Sequence, residues 1–134
     1  MALFGGKDKT VKVELFTSEP NERVFEFKKS KTIVRIDDYF IRIARKNSMS
    51  NMLLHGLDGE KSILLSEITA YQLKEPSSTV GYLQLVYPGS SDTKGGVFDA
   101  VKDENTVTFT KEDKEAILEL KTAIEQALKS KVNK

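Results

Sequence analysis

The stretch "TVTFTKEDKEAILELKTAIEQALKSK", residues 106–131, changes its period partway along. Residues 106–109 alternate polar and apolar, the spacing of a strand. Further on, Ile117, Leu120, Ile124 and Leu128 recur at helical spacing, with Ala116, Ala123 and Ala127 beside them. One face of that helix is apolar and must be buried against something. The spacing predicts a C-terminal helix over about 111–129. Thr110 stands where an N-cap belongs, and Asp113 three residues later makes a variant capping box. Lys121, Lys129 and Lys131 lie toward the negative end of the helix dipole.

Upstream of residue 106 the pattern is of strands and turns. "VKVELF" (11–16), "RVFEFKK" (23–29), "TIVRI" (32–36) and "YFIRIAR" (39–45) alternate apolar and polar residues. "SEPNE" (18–22), Ser30-Lys31 and Asp37-Asp38 supply the turn chemistry between them. "KSILL" (61–65), "TAYQLKE" (69–75) and "VGYLQLVY" (80–87) read as further strands, and "SEI" (66–68) as a single turn. Residues 88–105 are longer than a hairpin needs, and "VFDAV" (97–101) has the content of a short extra strand. Strands in series followed by one helix indicate an α+β fold with antiparallel sheet. The expected architecture is a partly open antiparallel β-barrel of about seven strands, capped by one C-terminal amphipathic helix. The chain reads as a single domain, 1–134, with residues 1–9 flexible.

Composition excludes several functions. The 134 residues hold 39% hydrophobic and 31% charged residues, as in a soluble globular chain. There is no cysteine, which removes disulfides, thiolate nucleophiles and Cys-based zinc sites. The single histidine, His55, has no second ligand of its kind and no Ser elbow to serve. "TKGG" (93–96) has the wrong order for a phosphate loop and lacks a following helix, so it reads as a connection. Asp37-Asp38 and "DAVKDEN" (99–105) read as turns rather than as an acid/base pair or a calcium loop. No enzyme activity, catalytic residue, metal or cofactor is expected. The apolar start of "MALFGGKDK" is far too short for a signal peptide, and a cytoplasmic location is expected.

Charge is unevenly spread. Residues 23–46 carry eight Lys and Arg against three acids, within a chain of net charge +1. Lys28, Lys29, Lys31, Arg35, Arg42, Arg45 and Lys46 are the candidate contacts for a polyanion, a membrane surface or an acidic partner. Nucleic acid is not expected, because no aromatic row accompanies the basic residues.

The pieces "GEKSILLSEIT", "GYLQL", "KGG" and "DENTVTF" resemble a bacterial pleckstrin-homology-like family of Gram-positive bacteria and their phages. The resemblance covers about residues 55–125 and the N-terminal part more loosely. It implies a pleckstrin-homology-like barrel and brings little chemistry, since the family is largely without assigned activity. The phosphoinositide hairpin of eukaryotic pleckstrin-homology domains is not reproduced: "FTSEPNER" (16–23) holds two Glu and one Arg. A non-enzymatic protein-interaction module is the expected function. It is expected to self-associate and to serve as a phage-encoded accessory or host-interfering factor. Polyanion or membrane-surface binding through residues 23–46 is the alternative.

Overall fold

A computed structural model describes residues 15–46, 57–77, 79–90 and 105–132. Seven strands appear among them: β1 (Arg23–Phe27), β2 (Thr32–Ile36), β3 (Phe40–Lys46), β4 (Leu57–Leu64), β5 (Ala70–Lys74), β6 (Gly81–Val86) and β7 (Thr106–Phe109). A 3₁₀ turn, Leu65–Glu67, joins β4 to β5. A second one, Lys111–Asp113, leads into the helix α1 (Lys114–Val132). The strands form two antiparallel sheets, β1-β2-β3-β4 and β5-β6-β7. The fold is therefore α+β, as the change of period implies. No backbone ladder joins the two sheets among the described residues, so the expected barrel is not closed.

The alternation of each strand decides which residues meet. Phe25, Val34 and Ile43 form one row across β1, β2 and β3, and Ile36, Ile41 and Ile63 form another across β2, β3 and β4. All six are core residues. From the second sheet Leu83, Leu85, Val107 and Phe109 join them. The helix closes this core with Ile117, Leu120, Ala123 and Ile124, the stripe set by the 3.6-residue spacing.

Several local expectations are revised. The helix runs to Val132, and its first turn is 3₁₀. Thr110 is the N-cap of that turn, but its hydroxyl donates to the Glu112 carboxylate at 2.8 Å rather than accepting a backbone N–H. Asp113 makes no return bond through Oδ2, which lies buried without a partner. Burial pushes the Asp113 carboxyl above its ordinary range, and the neighbouring Glu112 adds to the rise. β4 starts at Leu57, four residues before the expected strand. Leu15 and Phe16, the last residues of the expected strand 11–16, form a bend. The rest of that strand, residues 1–9, His55, the "TKGG" connection and the expected strand 97–101 lie outside the described residues.

One glycine is required by packing. A Cβ on Gly81 would sit 2.1 Å from the Lys74 carbonyl oxygen and 2.7 Å from the Pro76 nitrogen. The start of β6 therefore presses directly on the end of β5, and only Gly fits there.

Candidate interaction edge

The seven basic residues singled out in the sequence do not share a surface. Lys28, Lys29 and Lys31 are exposed together in the turn between β1 and β2, where Lys31 takes the positive φ of 53°. Arg35 is 2% exposed. Its guanidinium binds both oxygens of Glu60 at 2.8–3.1 Å, the Glu22 carboxylate at 3.0 Å and the Thr17 carbonyl at 2.6 Å. Arg42 is held by Asp37 at 2.8 Å. Arg45 donates to the Thr106 carbonyl at 3.2 Å. Lys46 is 5% exposed. Of the seven candidate contacts, Arg35 and Lys46 are therefore buried rather than presented to a partner. Arg35, Arg42 and Arg45 hold the fold together, and the lysines of one turn remain on the surface.

Asp37 shows why sequence adjacency misleads about its role. Burial pulls its carboxyl upward, but backbone N–H groups of Phe40 and Tyr39 and the Arg42 guanidinium outweigh burial. The net effect holds it below the usual carboxylate range. It is the turn residue expected, carrying in addition the Arg42 ion pair.

One edge of the second sheet is β5. The direction of its backbone groups follows from one hydrogen bond. Leu85 of β6 donates to the Asn105 carbonyl at 2.9 Å, so the Leu85 backbone points toward β7. Backbone direction alternates along an antiparallel strand. Gln84 and Val86 therefore point toward β5, where they pair with Gln72 and Ala70. Tyr71 and Leu73 then direct their N–H and C=O groups away from the sheet. No described residue pairs with those groups.

The other edge of the same sheet is treated differently. By the same alternation Thr106 and Thr108 of β7 point outward. Their carbonyls accept from the Arg45 guanidinium at 3.2 Å and the Ser30 hydroxyl at 2.8 Å. Ser30, in the turn after β1, and Arg45 of β3 thus engage two carbonyls of β7, while no described residue engages the outward groups of β5.

Beside the open edge lies an apolar groove of about 300 Å³ between β5 and α1, lined chiefly by Leu73, Phe109, Ile117 and Leu118. Leu73 is 39% exposed and Leu118 58%. Charged residues rim the groove: Glu75, Lys114, Glu115 and Lys121. Lys114 pairs with Glu75 at 2.8 Å at one end. Lys121 pairs with Glu125 at 3.4 Å at the other, where Glu125 also accepts from the Tyr71 hydroxyl. A larger cavity of about 450 Å³ is lined by Ile43, Arg45, Gly59, Glu60 and Lys61. Its arginine and glutamate are already engaged in the bonds described above, so it offers no comparable free groups.

The Tyr71–Glu125 contact has a measurable signature. The hydrogen bond to Glu125, helped by burial and by the carboxylate charge, raises the Tyr71 hydroxyl to about 12. The folded chain therefore holds a proton that the unfolded chain releases near its ordinary value of about 10. The stabilisation from this group is complete below pH 10 and is lost as the pH climbs toward 12. Ultraviolet titration of the parent against Tyr71→Phe should show one phenol ionising near 12. Glu125→Gln should return that phenol toward 10. A parent whose Tyr71 titrates near 10 would remove the contact.

Sequence reasoning found the strand at 69–75 but not its position at a sheet edge. The available signal was Leu118, an apolar residue on the face of α1 opposite its buried stripe. No group of three or more His, Cys, Asp or Glu able to hold a metal occurs among the described residues. No helix there is long and apolar enough to cross a membrane. The model of a family described as a domain of unknown function (DUF4429) matches residues 34–125, from β2 into α1. No curated protein and no solved structure matches the chain.

Proposed function

The chain belongs to the DUF4429 family, and from its open edge we propose a pleckstrin-homology-like, non-enzymatic module that binds protein by accepting an extended segment alongside β5. The observation that carries this reading is the outward N–H and C=O groups of Tyr71 and Leu73 next to the apolar groove. An added strand would satisfy those groups, each bond contributing a net of about 0.5–1.5 kcal/mol. Alternate side chains of that strand would face the groove, where Leu73 and Leu118 offer apolar contact. Backbone bonds supply affinity without regard to sequence, and the groove supplies preference for an apolar side chain. The arrangement of four strands, three strands and a C-terminal helix supports the pleckstrin-homology-like assignment.

Selection from a displayed library of short linear peptides tests the reading. Selected peptides should alternate apolar and polar residues, and should slow amide hydrogen exchange at Tyr71 and Leu73 before any other strand positions. Peptides that slow exchange elsewhere, or none that bind at all, would overturn it.

A further inference from the structure

Resting on that reading of the β5 edge, we propose that the strand it takes up is β5 of a second copy of this chain. The two copies form an isologous dimer whose two-fold axis passes by Leu73 and whose two three-stranded sheets become one continuous sheet.

Symmetry and charge together choose the register. An antiparallel edge strand is complementary to itself, because the same donors and acceptors face each other across a two-fold axis. With Leu73 opposite the partner's Leu73, the outward backbone groups of both residues bond to each other. Tyr71 then falls opposite the partner's Glu75, and Lys74 opposite the partner's Gln72. Glu75, with its side chain 75% exposed, is brought to the end of the partner's groove where Lys121 sits. At that meeting end Glu75 and Lys114 of one copy face Lys121 and Glu125 of the other, so each carboxylate gains an ammonium of the partner. Centring on Lys74 would instead oppose two lysines. Centring on Gln72 would leave Glu75 opposite the partner's Thr69, short of Lys121. The Leu73 register also places two exposed Leu73 side chains together on the groove face, with a Leu118 flanking each. A five-residue edge is short, so the dimer is weak and depends on concentration.

The absence of cysteine makes the register testable. Hydrogen-bonded partners in an antiparallel pair lie about 5.5 Å apart at Cα. A disulfide spans about 4.4–6.8 Å. Leu73→Cys should therefore oxidise to a covalent dimer several-fold faster than Gln72→Cys or Lys74→Cys, whose symmetric partners would lie about 8 Å apart. Sedimentation equilibrium of the unmodified chain should show weight rising with concentration, and Leu118→Lys, an exposed substitution, should stay monomeric. Equal crosslinking at all three positions, or a parent that is monomeric at every concentration, would overturn the dimer. If library peptides still protect Tyr71 and Leu73 in that case, the edge accepts a strand from another protein and only the second copy is wrong. If they do not, the edge reading fails as well.

Discussion

Arg35→Met is expected to lose about 3–5 kcal/mol of stability, measured by urea unfolding, and so to unfold much of the population in mild denaturant. The size follows from what the substitution leaves behind. Glu22 and Glu60 are 7% and 9% exposed in their side chains and share this one guanidinium. Removing it strands two carboxylates under the loop that precedes β1, with the Thr17 carbonyl losing its donor as well. Arg35→Lys should recover only part of the loss, because an ammonium cannot bind both Glu60 oxygens and reach Glu22 with the same planar fork. Arg35→Met combined with Glu60→Leu should be more stable than Arg35→Met alone, since one stranded charge is gone. A single substitution that costs no more than about 0.5 kcal/mol would show that the ionic cluster contributes nothing net.

Leu120→Ala should cost about 2–5 kcal/mol. Leu120 is fully buried in the middle of the stripe that closes the core, between Ile117 and Ile124. Truncation leaves a cavity that two sheets and a helix cannot all collapse into. At roughly 3–5 °C per kcal/mol for a domain of this length, a fall in Tm of about 6–25 °C is expected. Leu118→Ala, on the exposed face of the same helix, is the control and should shift stability by no more than about 0.5 kcal/mol. Equal losses at the two positions would mean that α1 does not close the core.

These two substitutions mark what could and could not be read from the chain. Leu120 was legible because a 3.6-residue stripe has one physical solution, burial on one side, and no Gly or Pro interrupts it. β2 and β7 were legible to the residue because both are rich in β-branched side chains and bounded by turns. Arg35 was not. An arginine on the polar phase of an alternating strand reads as solvated, and here it does point away from the core. It is nonetheless buried, since partners 13, 18 and 25 residues distant converge on it. The β5 edge was hidden for the same reason. Alternation says that 69–75 is a strand, whereas its place at the margin of a sheet depends on the pairing of β6 with β7. Thr110 was placed correctly as the start of the helical segment, but the intervening 3₁₀ turn redirected its hydroxyl to Glu112.

The capping of β7 by Ser30 and Arg45 bears on how this sheet can grow. A sheet open at both margins can recruit copies endlessly and lengthen into a fibre. Here two carbonyls of one margin are taken by side chains of the same molecule, which disfavours growth through β7 once β5 is occupied. Removing those contacts, for example with Ser30→Ala and Arg45→Ala together, would give the assembly a second sticky end.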